Sequence, residues 1–502
     1  MNYGICEKCK KSVPATHEVR DGKVYLHKTC PDCGKTTGLV SSDAAAWQRK
    51  RELYRYDSEP TMSCPLNCDQ CDLSHGTPHM VFMDVTNRCN MNCPICVANV
   101  PGMKFEFHPS FAYFEKILGE MAKWDPPPVI HLFGGEPTVR DDLFDIIDLA
   151  HELGLLVYLV TNGLKLADEE YCRKVCERDV PVLLGFDGRN PAIYDRMRKD
   201  PDAYEKKLAA LDNLKKLSRG RNNILMCCTA RGINDEYIAD LFEMAHEHRD
   251  HLKGIYFLPL TEMWENDRFD VESSTTIEDA EHIVDGAFDD GHVEFLPMGI
   301  QKHFALPLGF FSAGKRQTFR RVHPNCESST LLLSDGERYC PLSHYLKRPL
   351  HEVADDLVGR ARDLQPRLEK LKPGSLWGRW LVLKNLGIPF LKSADLGRLM
   401  KGSPVLGTIR LFGGLFFGKS LKEQFRRHTA LRDPLNILVL PFEETHSLEA
   451  ERLRRCAAGF VFEDADTGEV RSIPVCAWWL YNVDILKRVA AKYPKAGAAV
   501  AS

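Results

Sequence analysis

Three cysteines spaced Cys-x3-Cys-x2-Cys, at Cys89, Cys93 and Cys96, follow directly on the apolar run Val81–Thr86. Three thiolates on one short loop can take three corners of a [4Fe–4S] cluster and leave the fourth iron without a protein ligand. An open metal position is what catalysis requires and a structural site avoids. Such a loop needs a rigid strand beneath it, and the chain downstream has the pattern to build one. Short runs rich in Val, Ile, Leu and Phe recur at Val81–Thr86, Val129–Phe133, Leu155–Val160, Val182–Phe186, Asn223–Cys228 and Gly254–Leu260. Helical patterns such as Phe111–Trp124, Asp141–Leu153 and Glu236–His248 lie between them. Six β-then-α units in order predict an α/β fold with a parallel sheet and helices outside it, closed as a partial (β/α)6 barrel. In such folds chemistry sits in the loops at the C-terminal ends of the strands.

The second strand ends in Gly134-Gly135-Glu136-Pro137. Two glycines allow close backbone approach at a strand end, and Glu136 offers a carboxylate to a cationic amino group. Together the cysteine loop and this turn resemble the radical S-adenosylmethionine (SAM) enzymes. The resemblance implies that SAM chelates the open iron, with Gly134, Gly135 and Glu136 holding its amino group. Reductive cleavage of SAM would then yield a 5′-deoxyadenosyl radical that abstracts hydrogen. Thr161-Asn162-Gly163, Gly185-Phe186-Asp187-Gly188 and Arg231-Gly232-Ile233-Asn234-Asp235 follow the third, fourth and fifth strands. The resemblance makes Asp187 and Asn234 candidates for the ribose or carboxylate of SAM. Ile95 stands where many members of the superfamily carry an aromatic residue against the adenine.

Ten of the eighteen cysteines precede residue 100. Cys6-x2-Cys9 and Cys30-x2-Cys33 form two knuckles suited to a four-sulfur site. Tetrahedral thiolate geometry alone leaves zinc and a single rubredoxin-like iron both open. Cys64, Cys68 and Cys71 repeat the Cys-x3-Cys-x2-Cys spacing just before the first motif and suggest an auxiliary [4Fe–4S] cluster. Further on, Cys326 and Cys340 bracket a turn at Asp335–Gly336, and Cys456 and Cys476 bracket a second predicted hairpin. Hairpins bring flanking residues together, so these four are candidate auxiliary-cluster ligands, enough with the preceding three for one or two clusters. Cys172, Cys176, Cys227 and Cys228 read as small apolar packing residues.

At 502 residues the chain has room for two to four domains. The net charge of −4 gives no nucleic-acid signature. No apolar run reaches the roughly 18–20 residues of a membrane span, and the first residues lack the pattern of a secretory signal. Cysteines in such a chain point to metal rather than disulfides. The expected organisation is a four-cysteine module at 1–50, rubredoxin-like or zinc ribbon, and an auxiliary-cluster segment at 51–77. The partial barrel follows at 78–265, an auxiliary-cluster hairpin region at 266–350, a basic aromatic helical segment at 351–435 and a β-rich α+β region at 436–502. Residues 436–482 are expected to be strands.

The order of these parts resembles the tetraether lipid synthases and their bacterial relatives. That resemblance implies carbon–carbon coupling of lipid alkyl chains, with a lipid substrate and an electron donor such as ferredoxin or flavodoxin. Residues 367–432 carry fourteen Lys or Arg against three Asp or Glu, with apolar stretches at Leu376–Lys384 and Leu406–Phe417. Such segments can rest at a membrane surface, which predicts a cytoplasmic enzyme peripheral to the inner membrane face. The alternative reading is a radical methyltransferase, or another radical modification of a soluble substrate such as a pterin or peptide. A remote third is an iron–sulfur electron carrier, which leaves the Gly134-Gly135-Glu136 turn unexplained.

Overall fold

The computed structural model describes residues 2–54, 78–218, 220, 222–262, 269, 275–289, 291–311 and 322–494. Cys64, Cys68 and Cys71 lie outside the described residues. The N-terminal strands β1 (Asn2–Ile5), β2 (Ser12–Arg20), β3 (Lys23–Cys30) and β4 (Gly34–Ser41) form an antiparallel sheet in sequence order. Its two tight connections carry the knuckles, with Cys6 and Cys9 between β1 and β2 and Cys30 and Cys33 at the turn from β3 to β4. The buried apolar residues of this sheet are few, Ile5, Val13, Ala15, Val24 and Leu26, as expected of a small unit that metal helps to hold.

The second sheet is the scaffold of the molecule. Strands β5 (Met80–Thr86), β6 (Val129–Gly134), β7 (Leu156–Thr161), β8 (Val182–Gly185), β9 (Asn223–Thr229) and β10 (Leu252–Pro259) pair in sequence order, every pair parallel. All six sequence runs are strands, with ends within two residues of expectation. The helices between them show why the sheet closes inward. Phe111–Met121 buries Tyr113, Phe114, Ile117, Leu118 and Met121, one face at helical spacing. Leu143–Glu152 and Ile238–Glu247 do the same, and their apolar stripes merge with the outward faces of the strands in one core.

The sheet does not stop at six strands. β11 (Leu296–Pro297), β12 (Ser328–Ser334) and β13 (Tyr339–Pro341) extend one edge through β14 (Arg432–Val439), which pairs parallel to β10. At the other edge β15 (Ala458–Glu463) pairs parallel to β5 and antiparallel to β16 (Val470–Pro474). Residues 440–457 therefore run as a strap from one edge of the barrel to the other. One expectation is corrected here: beyond Pro474 the chain is a helix, Val475–Lys492, rather than strand to residue 482. The aromatic and branched residues of 475–485 suggested β structure, but buried Trp478, Asn482, Leu486 and Val489 recur at helical spacing.

The N-terminal sheet is fastened to the strap. Lys28, 1% exposed, sends its ammonium to the carbonyls of Ile5 at 3.0 Å and Thr445 at 2.7 Å. Gly4 bridges Glu449 by backbone pairing, and a Cβ at Gly4 would press on the Lys28 side chain. Behind it, Lys50 is buried between Glu278 at 2.9 Å and Glu281 at 2.7 Å. The helix that carries Lys50, Ala44–Tyr54, thereby locks the module to the barrel.

Candidate active site and metal centres

The cysteine loop is held by backbone contacts that only glycine permits. Gly135 N–H donates to the Thr86 carbonyl at 2.7 Å and Glu136 N–H to Arg88 at 2.9 Å. Gly134 has φ +127°, and a Cβ at either glycine would collide with the Thr86 or Arg88 carbonyl. The end of β6 thus lies flush against the loop that starts Cys89. Burial pushes the Cys89 thiol up to about 12 and raises Cys96. A bound cation would reverse that, because a coordinating thiol gives up its proton. Cys89, Cys93 and Cys96 are not among the described groups whose ligand atoms all fall within 4.8 Å.

Glu136 stands just beyond the end of β6. Its carboxylate is 1% exposed and turned into the junction between β6 and β7. Oε1 accepts from Thr138 N at 3.1 Å, Thr138 Oγ1 at 2.6 Å and Thr161 Oγ1 at 2.6 Å, and Oε2 from Asn162 N at 2.7 Å. Oε2 keeps an acceptor position, and these four bonds fix the ends of β6 and β7 around the carboxylate. Asp187 and Asn234, both fully buried, behave likewise. Asp187 takes a two-pronged bond from Arg198, at 2.8 and 2.7 Å. Burial works to raise its carboxyl, but the Arg198 guanidinium outweighs it and holds Asp187 below its usual range. Asn234 ties the Asp187 and Cys228 carbonyls together at 2.8 Å each.

Inside the barrel is a cavity of about 450 Å³, mostly apolar, within the size range of small-molecule sites. Cys93 and Ile95 stand on its wall beside Arg198 and Lys207. Lys207 bonds the carbonyls of Asn162 at 2.6 Å and Gly185 at 2.5 Å, and burial lowers its ammonium to about 8. Arg198 and Lys207 escaped sequence reasoning, because neither stands in a motif. His131 is stacked between Phe82 and Tyr158, with ring centroids 4.9 and 5.1 Å away. Burial holds His131 down to about 4, and the same cause lowers His251 to about 4. Both are neutral when folded at pH 6, whereas the unfolded chain protonates near 6.5. The unfolded state therefore binds more protons between those values, and stability falls as pH drops from about 6.5 to 4. The expected loss is roughly 3 kcal/mol for His131 alone, and urea unfolding of wild type and His131→Phe across that range measures it. The variant should show a shallower decline.

The cavity wall also carries Cys326, Cys456 and Cys476, with Glu327. Burial raises all three thiols; Cys326 is opposed further by Cys456, and Cys476 by both others. Three sulfurs gathered on one wall are a donor set of the kind that holds an iron–sulfur cluster. Cys340 is elsewhere. The β12–β13 hairpin sets it opposite Leu333, and its thiol faces Asp335 Oδ2 at 3.5 Å. The expected pairing of Cys326 with Cys340 is thus corrected: Cys326 lies before β12 begins, outside the hairpin ladder. The pair Cys456 and Cys476 does flank the β15–β16 hairpin.

In the N-terminal module Cys6, Cys9, Cys30 and Cys33 bring their sulfurs within 4.8 Å of one another, Cys9 and Cys30 at 3.7 Å. A tetrahedral site with metal–sulfur bonds of about 2.3 Å has edges of about 3.8 Å, so the donor set fits a single ion. A second close group, His17, Glu449 and Glu451, also falls within 4.8 Å. Its carboxylates already accept from Asn2 at 2.6 Å and Arg51 at 2.8 Å.

Comparison with known proteins follows the same division. The radical SAM superfamily pattern matches residues 83–245, and the pattern described as the HMPTM N-terminal zinc ribbon domain matches residues 3–42. The chain is 27% identical over 490 residues to the 7,8-dihydro-6-hydroxymethylpterin dimethyltransferase of Methanocaldococcus jannaschii, covering 94% of this chain and 92% of that one. It is 29% identical over 188 residues to the AdoMet-dependent heme synthase of Methanosarcina barkeri, 36% of this chain and 51% of that one. A third relative, the PqqA peptide cyclase of Bradyrhizobium diazoefficiens, is 30% identical over 133 residues, 26% of this chain and 35% of that one.

These relatives are named for a pterin, a haem and a peptide. They overturn the expectation of lipid-chain coupling, and with it the lipid substrate and the membrane contact. In the stretch expected to dock on a membrane, Leu381, Leu386, Leu411 and Leu415 pack into internal cores, while Trp377, Val405, Leu406, Ile409 and Phe417 are exposed. Among the described residues no helix is long and apolar enough to cross a membrane. The strand-end cysteine loop, the parallel barrel and the match over residues 83–245 show a radical SAM enzyme core in this chain, joined to an N-terminal zinc-ribbon module.

Proposed function

We propose that the chain is a radical SAM methyltransferase acting on a reduced pterin of the 6-hydroxymethyl-7,8-dihydropterin type. The observation that carries this reading is the likeness to the pterin dimethyltransferase over 94% of the chain, N-terminal module included. When bound, SAM at the cluster supplies a 5′-deoxyadenosyl radical for hydrogen abstraction. Cys89, Cys93 and Cys96 hold that cluster, and Gly134 and Gly135 bring the β6 backbone beside it. Glu136, Asp187 and Asn234 act as positioning residues that fix the strand ends. Cys6, Cys9, Cys30 and Cys33 hold one zinc ion. Cys326, Cys456 and Cys476 hold a second cluster on the cavity wall, and the cavity between the two cysteine triads takes the pterin away from bulk water.

The test is anaerobic incubation of the metal-loaded protein with SAM, a low-potential reductant, 6-hydroxymethyl-7,8-dihydropterin and a methylene-tetrahydropterin or SAM methyl source. Mass spectrometry should show one or two hydrogens of the pterin replaced by methyl groups. Rapid deoxyadenosine formation with an unaltered pterin under every methyl source would refute the reading.

A further inference from the structure

Beside the triad of Cys326, Cys456 and Cys476 lies an arginine with donors to spare. Arg452, on the strap helix Ala450–Leu453, is 7% exposed. Its Nη1 stands 3.1 Å from Glu443 Oε1. Its Nε and Nη2 have no hydrogen-bond acceptor among the described residues. Glu443, 1% exposed, is similarly placed: neither oxygen accepts a hydrogen bond, so the ion pair is misaligned as a bond. Yet Glu443 reaches the triad, its backbone N–H pointing at Cys476 Sγ at 3.4 Å.

Guanidinium is always charged and presents five N–H groups in a rigid fork. The Nε–H and the two Nη2 hydrogens, three of the five, are buried unpaired at a desolvation cost, and native chains leave few such groups without a partner. The partner must be an anion or a lone-pair acceptor. Arg452 does not stand on the cavity wall, whereas the three cysteines do, so a small substrate in the cavity meets the sulfurs first. What fits between them is the negatively charged body of an iron–sulfur cluster, whose sulfurs accept N–H bonds.

We infer that Arg452 donates its Nε–H and Nη2–H to the cluster held by Cys326, Cys456 and Cys476, and so raises that cluster's reduction potential. The inference rests on the reading of these three cysteines as cluster ligands. Reduction adds one negative charge to the cluster. A fixed cation bonded to its sulfur stabilises the reduced form more than the oxidised one, and hydrogen bonds to sulfur act in the same direction. Glu443 holds the guanidinium from the other side and keeps the fork from rotating away. Arg452 is thus a positioning residue that acts through the cluster.

The experiment uses the full chain, anaerobically loaded with iron and sulfide. The paramagnetic signal of the reduced triad cluster is identified as the one lost in Cys476→Ala. Redox titration of that signal should show a more negative potential in Arg452→Gln, and a smaller displacement in Arg452→Lys, which keeps charge but loses the fork. In wild-type protein labelled with 15N-arginine, pulsed EPR should detect guanidinium nitrogen coupled to the cluster, a measurement that needs no variant to fold. An unchanged potential in both variants, or no nitrogen coupling in the labelled wild type, overturns the role of Arg452 alone. If Cys476→Ala removes neither iron nor signal, the cluster reading falls and the inference with it.

Discussion

Cys93→Ala is expected to leave the protein folded and to abolish 5′-deoxyadenosine formation. The loop owes its position to Gly135 and Glu136 backbone bonds to Thr86 and Arg88, none of which involves the Cys93 side chain. Half-exposed Cys93 stands on the cavity wall, so its loss creates no large void in the core. What disappears is one of three anchors for an open cluster. Even outer partners of metal ligands cost 10–100-fold when removed, so losing a ligand should lower deoxyadenosine yield by more than about 100-fold. Chromatography after reduction with dithionite measures the nucleoside, and circular dichroism checks the fold. Robust deoxyadenosine from the variant would show that the reactive cluster sits elsewhere.

A second substitution separates two cysteines that the sequence leaves alike. Cys476→Ala should remove about one cluster's iron, keep deoxyadenosine formation, and lose methylated product by more than about 100-fold, on the same reasoning. Cys340→Ala should keep the iron, the deoxyadenosine formation and the methylated product. Cys476 belongs to the mutually repelling triad on the cavity wall. Cys340 is buried opposite Leu333 with Asp335 for a neighbour, and its replacement should cost only a modest amount of stability. Iron analysis, Mössbauer spectroscopy and product assay on both variants provide the comparison. Equal iron loss in the two would mean that the hairpin, not the triad, carries the cluster.

Much of the scaffold was legible because strand and helix periods repeat locally. The β5–β10 runs and the helices between them are each decided within about ten residues. The cysteine knuckles were equally plain, since sulfur spacing on a tight turn is itself the geometry. What could not be read was anything set by distant register. Nothing near Cys326 says that it leaves Cys340 for Cys456 and Cys476, because that choice follows from where β12 starts and from β15 pairing with β5 across the sheet. Glu136 followed a motif into the expected place, but its rotamer was decided by Thr138, Thr161 and Asn162, the last two at the end of the neighbouring strand. Arg198, Lys207 and Arg452 are ordinary basic residues in sequence, and only burial marks them out. The substrate was misread for a different reason: a basic, aromatic stretch resembles a membrane contact, whereas the relatives that overturn the lipid are matched along the barrel and, for the pterin enzyme, along nearly the whole chain.

The strap between β14 and β15 touches the N-terminal sheet through Thr445 and Glu449, and further along it carries Arg452 and Cys456. The outer knuckles and the interior cavity are therefore linked mechanically through one segment. The sheet that carries Cys6, Cys9, Cys30 and Cys33 is the platform on which the strap lies, and the strap carries Cys456 to the cavity wall. Whatever loosens the knuckles is expected to loosen the hold on Cys456, although none of those four sulfurs lines the cavity.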